Sequence, residues 1–277
     1  MSKILFTTGL NEQGEKAFEF TLPIADLLRA KIFFLHVEHV PAVAVQASGG
    51  MLEEVMKHRQ ESALKGLYQL KMQTAEYAFE NNTHIESDHI YTTGLVVEEI
   101  VHAAKSIKPD ICVAGTGSHK GFPGLITGDV AGQLIKKLTC PLLIVPDGCN
   151  KLLEGDILFA SGWDKGDNIV LDQLMTFSRQ LQKKVIVLHV NDKADKNEAN
   201  LEEYMEQKYA EEMKIGNLHS NVVQSDSITK AIESYIDNNS VSILVAGHHH
   251  HRFEFMHRQI ADNLAKNLQI PSLIFQV

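Results

Sequence analysis

The sequence is poor in the features that would set it apart from ordinary globular proteins. Three cysteines occur among its 277 residues, too few for a disulfide framework, and this usage is typical of a reducing compartment. No run approaches 18 apolar residues, and the opening MSKILFTTGLNEQGEK has no signal-peptide layout. We therefore expect a cytoplasmic protein that does not span a membrane.

Basic residues are also in short supply. The 26 lysines and arginines stand against 35 aspartates and glutamates, which leaves a formal net charge of -9. Both halves of the chain share the acidic excess, so neither half has the charge of a module that binds nucleic acid or anionic membranes. The remaining composition, 44% hydrophobic and 22% charged, is that of a folded globular protein.

Common catalytic motifs are missing as well. The sequence contains no G-x-S-x-G elbow, no G-x-x-x-x-G-K-(S/T) loop and no dinucleotide fingerprint after its first predicted strand. Paired carboxylates fall in helical segments, where they are typical of solvated faces. We therefore predict a protein that acts by binding and is not an enzyme.

The chain repeats itself. The segment KILFTTG, which ends at Gly9, returns as DILFASG, which ends at Gly162, and the strand-like segments KIFFLHV and KVIVLHV follow the same spacing of 153 residues. Further along, ICVAG and ILVAG place Gly115 and Gly247 at an offset of 132 residues. Two copies of one unit, the second shorter by about twenty residues, explain these spacings.

Short apolar runs alternate with helical segments in each copy. Such runs are typical of parallel strands buried on both faces, and the alternation indicates an α/β fold. We predict a first domain at 1–147, a linker at 148–154 and a second, shorter domain at 155–277. The predicted helices are Glu12–Leu28, Leu52–Glu80, Val96–Ser106, Val130–Leu138, Asn168–Leu181, Ala199–Ile215, Thr229–Asn238 and Gln259–Leu268, with Thr229 as an N-cap.

The order of these segments, found twice, resembles the universal stress protein family in its tandem form. The resemblance covers nearly the whole chain and is carried by KILFTTG, FFLHV, ICVAG with its glycine-rich continuation, and the ending LTCPLLIVP. It implies two open, parallel, five-stranded sheets with helices on both faces. It also implies that the last strands pair the domains as a pseudo-dimer, and that two such chains form a homodimer.

ATP-binding members of the family carry G-x2-G-x9-G-(S/T) after the fourth strand. In the first domain this frame falls on Gly115, Ser118, Gly128 and Asp129, so two of its four positions match. Glycines let the backbone approach phosphates, and the helix that follows offers unpaired N–H groups. The resemblance therefore implies a degenerate site for ATP or AMP, lined by Val37, Gly115, Ser118, Gly128, Asp129 and Val130.

Two departures weaken this site. Asp129 places a carboxylate where the family has a hydroxyl, and we interpret it first as the N-cap of the helix from Val130 to Leu138, with a metal-bridged phosphate as the alternative. The aspartate that ATP-binding members carry after their first strand is replaced by Gly9 and Gly162. After Gly247 the second copy has no phosphate loop, so we expect no nucleotide of the family's kind there.

Histidines replace that loop. Their density at His248, His249, His250, His251 and His257 suggests a zinc, nickel or copper site, but neighbouring histidines in a loop need not converge on one ion. A polar surface loop is the simpler interpretation. His36 and His189 occupy the same place in both copies and are predicted to be structural. Cys112 is predicted to be a core thiol, and Cys149 to be exposed in the linker.

Three functions stay open at this point. The leading one is a stress-response or signalling protein that binds a small ligand, an adenine nucleotide included, and passes its state to an unknown protein partner. A slow ATPase or nucleotide-dependent switch in the first domain is the alternative, and a metal-responsive histidine loop is the third. Met51, Met56 and Met72 could line a groove for a partner or a small ligand, although core packing explains them equally well.

Overall fold

A computed structural model describes residues 1–39, 50–116, 128–147, 149, 154–163, 166–191, 197–248 and 270–277. The chain divides into two compact units, Met1–Asp147 and Gly148–Val277. Each unit is an α/β unit with a parallel sheet, which confirms the predicted fold class. Most of the predicted linker lies outside the described residues, and the pairing of the two domains stays a prediction.

The first unit alternates strands and helices. Its strands pair in the order β3-β2-β1-β4-β5, and the pairs β1–β2, β1–β4, β2–β3 and β4–β5 are parallel. The chain order reverses beside β1, so the loops after β1 and β4 leave the sheet at neighbouring positions. The elements are β1 (Lys3–Thr7), α1 (Glu12–Leu27), β2 (Lys31–Glu38), α2 (Gly50–Glu80), β3 (Ser87–Thr93), α3 (Val96–Ile107), β4 (Ile111–Thr116), α4 (Gly128–Lys137) and β5 (Leu142–Pro146).

The second unit repeats this plan. Its strands lie in the order β10-β9-β6-β7-β8, again with parallel pairing. The predicted helix Gln259–Leu268 lies outside the described residues. The elements are β6 (Asp156–Ser161), α5 (Asp167–Leu181), β7 (Val185–Asn191), α6 (Asn197–Lys214), β8 (Leu218–Gln224), α7 (Ile228–Asn238), β9 (Val241–His248) and β10 (Ser272–Gln276).

The apolar runs form these strands because both faces of each sheet are covered. Every residue of β5 is buried, and Ile4, Leu5 and Phe6 of β1 have no exposed surface. Phe6 and Phe34 meet edge to face with ring centroids 5.8 Å apart. Among the described residues, no helix has both the length and the apolar character that a bilayer crossing requires.

Two of the helix starts contradict a predicted N-cap. The helix α7 begins at Ile228, and its N-cap is Ser227, whose hydroxyl accepts a hydrogen bond from the Lys230 N–H at 3.4 Å, so the assignment of Thr229 as the N-cap is wrong. The helix α4 begins at Gly128, so Asp129 lies within its first turn and does not precede it. In both cases the helix begins one or two residues before the position that the pattern of apolar residues predicts.

The predicted exposure of Cys149 is also wrong. Cys149 is buried, like Cys112 and Cys140. Polar neighbours in the sequence do not keep a thiol in solvent, because cysteine behaves as a small apolar side chain and is among the most buried residue types. Cys112 is fully buried in β4, and burial raises the pKa of its thiol well above the usual value, as expected for an unreactive core cysteine.

Two glycines give opposite expectations for the same substitution. Gly155 has φ +95°, and a Cβ there would lie 2.4 Å from the Ser240 carbonyl oxygen, whereas among the described residues nothing would lie within 4 Å of a Cβ at Gly132 in α4. We expect Gly155→Ala to lower the free energy of unfolding by about 1–3 kcal/mol or more through backbone strain and this contact. Gly132→Ala should raise it by about 0.5–1 kcal/mol.

Urea unfolding of the two variants beside the wild type measures both effects. Equal stability of Gly155→Ala and wild type would contradict the described turn before β6.

Candidate functional site

A cleft opens in the first domain at the carboxyl ends of β1, β2 and β4. Its empty space is about 470 Å³ when the open solvent at its mouth is counted. This is the place where ligands gather in doubly wound sheets, because the chain leaves neighbouring strands in opposite directions there. Its lining consists of Thr7, Thr8, Gly9, Asn11, Gly14, Leu35, Val37, Val96, Ile100 and Gly115.

One wall of the cleft is polar and is held by hydrogen bonds. The Thr7 hydroxyl donates to the Val113 carbonyl oxygen at 3.2 Å, which ties the end of β1 to β4. The Thr8 hydroxyl accepts from the Leu10 N–H at 2.9 Å, and the Asn11 side chain caps α1 by accepting from the Gly14 N–H at 3.2 Å. These bonds fix the loop between β1 and α1 in one conformation.

The opposite wall is apolar. Leu35 and Val37 come from β2, and Val96 and Ile100 come from the first two turns of α3. None of the described lining residues carries a charge, so this part of the cleft suits a neutral, partly apolar ligand group. A flat heterocycle with a few hydrogen-bonding atoms has this character.

A histidine of β2 forms a hydrogen bond with the polar wall of the cleft. His36 Nδ1 lies 2.9 Å from the Thr8 carbonyl oxygen, and since a carbonyl only accepts, the ring donates through Nδ1. His189 Nδ1 lies 3.0 Å from the Ser161 carbonyl oxygen at the equivalent place of the second domain. The two contacts support the prediction that both histidines are structural: each ties the end of its second strand to the end of the first.

The loop after the first strand is also the same in both domains. Leu10 has φ 55° and Trp163 has φ 53°, and the N–H of each donates to a hydroxyl two residues earlier, Thr8 or Ser161, at 2.9 Å. Large side chains rarely occur on a backbone with positive φ, so the contacts around each turn must hold this conformation in place. In the first domain Leu10 reaches α2, where a Cβ at Gly66 would lie 3.2 Å from it.

The copies differ beside this common frame. Glu38 ends β2, where it lies 3.6 Å from His36 Nε2 and 3.1 Å from Arg59, and the second domain has Asn191 in the corresponding position. Burial first, and then the Glu38 carboxylate, raise the pKa of Tyr91, whose ring stacks on His36. In the second domain Trp163 packs on Tyr204 with ring centroids 5.6 Å apart. The cleft of the first domain therefore has titratable neighbours that the second copy does not repeat.

The structure brings part of the predicted site together. Val37 and Gly115 line the cleft, while Val130 lies in α4 outside the lining. Gly128 and Asp129 are the first two residues of α4, and Ser118 lies outside the described residues. The segment that follows β1 could be found from the position of the reversal point, whereas Leu35 within β2 and Ile100 within α3 have no such signal in the sequence. The lining residues outside the predicted site are Thr7, Thr8, Gly9, Asn11, Gly14, Leu35, Val96 and Ile100.

The histidine run has no described geometry beyond its first residue. His248 ends β9, and His249, His250, His251 and His257 lie outside the described residues. Within the described ranges, no group of three histidine, cysteine, aspartate or glutamate side chains is placed to hold a metal ion. The metal interpretation of this run stays a prediction.

The fold and the cleft define an α/β protein of the doubly wound class, and comparison with known proteins specifies the family. The sequence profile of the Universal stress protein family matches residues 1–146, more than half of the chain. A curated universal stress protein of Methanocaldococcus jannaschii is 28% identical over 146 residues, which are 52% of this chain and 81% of that relative. Universal stress protein YxiE of Bacillus subtilis is 24% identical over 151 residues, or 52% of this chain and 98% of the relative.

A solved structure extends the likeness of fold beyond the first domain. The crystal structure of a universal stress protein from Archaeoglobus fulgidus matches with a TM-score of 0.73 at 16% identity, covering 99% of this chain and 98% of that one. The chain belongs to the universal stress protein family, and its 277 residues fit the tandem form with two domains.

The shared turn allows a paired test of its hydroxyls. Thr8→Ala removes one hydrogen bond to a backbone N–H and should cost about 0.5–1.5 kcal/mol of stability. Ser161→Ala also removes the donor to the buried Asp167 carboxylate at 2.5 Å and should cost about 1.5–3 kcal/mol. Thermal and urea unfolding measure both, with Thr8→Ser and Ser161→Thr as controls that keep the hydroxyl. An equal effect of both alanines would contradict the described role of Asp167.

Proposed function

We propose that this protein acts in stress response as a non-enzymatic binding protein, and that its first domain binds an adenine nucleotide weakly. The observation that carries the proposal is the cleft at the reversal point, whose described lining has no charged side chain and includes two of the predicted site residues, Val37 and Gly115. Occupied and empty states of this cleft would be passed on to a protein partner.

The adenosine part of the ligand fits the cleft by its chemistry. The apolar wall formed by Leu35, Val37, Val96 and Ile100 offers a surface on which a flat base can pack. Hydroxyl and amide groups of the Thr7–Asn11 segment lie at its polar wall, where ribose hydroxyls can bond. Burial of the base between aliphatic side chains supplies most of the affinity we expect.

The phosphate side is weaker than the adenosine side. The helix α4 begins at Gly128, and a helix start attracts anions through its free N–H groups. The second residue of this helix is an aspartate, and we expect its negative charge to weaken phosphate binding, as like charges repel. We therefore expect adenosine, AMP and ATP to bind with similar affinity, so that added phosphates bring no gain.

Turnover is not expected from the described cleft. Among the lining residues that the structure describes there is no aspartate, glutamate, histidine, lysine or cysteine that could take a proton from water. We therefore propose binding without hydrolysis, in contrast to the slow ATPase that is the alternative. Phosphate release above the buffer rate that disappears in Gly128→Trp would favour the ATPase.

A large side chain placed in the cleft should prevent ligand binding. Val37→Trp places an indole among the apolar walls, and we expect adenosine and AMP binding to fall at least tenfold in isothermal titration. Val190→Trp changes the corresponding residue of the second domain and is the matched control, which should bind as the wild type does. Mass spectrometry of small molecules released from tag-free protein checks for a ligand that co-purifies.

Either of two results would overturn this assignment. One is the absence of binding to wild type at millimolar adenosine, AMP and ATP, with and without Mg²⁺. The other is an equal loss in Val37→Trp and Val190→Trp, because the two substitutions share their chemistry and differ only in the domain that they change.

Removing the opposing charge should restore a gain from phosphates. In Asp129→Ser we expect ATP to bind about tenfold more tightly than to wild type, since like charges about 4 Å apart near a protein surface interact with one to several kcal/mol. Adenosine should bind equally to both proteins, which makes it the internal control. An unchanged ratio of ATP to adenosine affinity would show that Asp129 does not oppose the phosphates.

A further inference from the structure

The long helix α2 has two apolar stripes, and only one of them is covered. The inner stripe consists of Ala63, Leu67, Thr74 and Ala78, which are all buried, and the helix packs on β2 and β3. These positions recur at the spacing of one helix face, as expected for a helix that covers a sheet. The inner stripe therefore accounts for the attachment of α2 to its own domain.

The second stripe, which we call the outer stripe, consists of Leu64, Tyr68, Met72, Ala75 and Phe79. Steps of four, four, three and four residues keep it on one face of α2 for about 22 Å at 1.5 Å per residue. The exposed fraction is 36% for Leu64, 60% for Tyr68, 55% for Met72 and 87% for Phe79. A continuous apolar stripe of this length in solvent is typical of an interaction surface.

The second domain shows that the fold does not require such a surface. The helix α6 holds the corresponding place after the second strand, and its buried residues Leu201 and Met205 repeat the inner stripe. Its exposed side is charged instead, with Glu202, Glu203 and Glu206. The helices α2 and α6 both follow the second strand of their domain and bury one stripe of side chains. On the side that faces away from the sheet, α2 is apolar and α6 is charged.

We propose that the outer stripe binds the outer stripe of a second copy of this chain, with the two helices antiparallel across a two-fold axis. In this register Leu64 lies opposite Phe79 of the other copy, and Tyr68 lies opposite Ala75. The small side chain of Ala75 leaves room for Tyr68, Leu64 and Phe79 make an apolar contact at each end, and Met72 lies beside the axis, near Met72 of the other copy. Each of the first two pairs forms twice, as in any isologous contact.

The charges at the edge of the outer stripe are complementary in the same register. Lys65 and Glu76 are both exposed and lie on one edge of the stripe. Antiparallel helices bring equal edges together, so Lys65 of each copy faces Glu76 of the other, and the pair forms twice. A partner of different sequence would need its own matching pattern, whereas a second copy supplies this one by symmetry.

Two features limit the strength of the contact. Lys71 lies on the other edge of the stripe, close to the two-fold axis, where it faces Lys71 of the other copy. The repulsion between the two ammonium groups reduces the affinity unless they turn into solvent. One stripe of five side chains also buries less surface than a standard interface, which covers about 800 Å² on each partner. We therefore expect a reversible dimer with a dissociation constant of about 10–100 μM.

Sedimentation velocity of the full chain between about 1 and 300 μM tests the proposal. Wild type should pass from monomer to dimer over this range, and Met72→Glu should weaken dimerisation at least tenfold. Gln73→Glu adds the same charge at the next exposed position, on another face of α2, and should dimerise as the wild type does. Thermal unfolding should be alike in the three proteins, because neither position belongs to the inner stripe.

A charge exchange separates a second copy from any other partner. Lys65→Glu should weaken the dimer several-fold, and Lys65→Glu combined with Glu76→Lys should restore it. Met72→Cys should form a disulfide-linked dimer under mild oxidation while Gln73→Cys does not, and the three native cysteines are buried and leave the background low. A wild type that stays monomeric at 300 μM, or a dimer that Met72→Glu leaves intact, would overturn the proposal.

Discussion

The burial of a parallel sheet on both faces is the constraint on which the rest of each domain depends. Helices that cover β1 and its neighbours leave only the ends of the strands open, so the loops after β1 and β4 become the place where a ligand can enter. The hydrogen bonds of His36 to Thr8 and of Thr7 to Val113 then tie these strand ends to one another. The geometry of the cleft thus follows from the helices that cover the sheet and from the hydrogen bonds between its strand ends.

Duplication separates what the fold needs from what one domain adds. Both copies keep the left-handed residue after the first strand, the hydroxyl that accepts from its N–H, and the histidine that holds the neighbouring carbonyl. These features are explained by structure alone. The Glu38–Arg59 ion pair beside the cleft and the outer stripe of α2 occur in the first copy and are not repeated at the matching described positions of the second, so the shared fold does not require them.

The sequence predicts the fold better than it predicts the site, for a physical reason. Runs such as LLIVP and the repeated histidine strands carry a strong signal because burial on both faces demands them. Cys149 and the start of α7 at Ile228 depend on local packing and capping, which composition does not specify. Thr8 and Asn11 line the cleft with side chains whose residue types are equally common in any turn, so only the assembled sheet identifies them.

The two proposals place a ligand and a partner at different parts of the same domain. The cleft lies at the ends of β1, β2 and β4, and α2, which carries the outer stripe, packs on β2 and β3. Leu10, in the loop that forms the polar wall, approaches α2 at Gly66, two residues from Leu64 and Tyr68. Leu10 thus connects the wall of the cleft with the helix that carries the outer stripe, and any effect of ligand binding on dimerisation through this contact would be matched by an equal effect of dimerisation on ligand affinity.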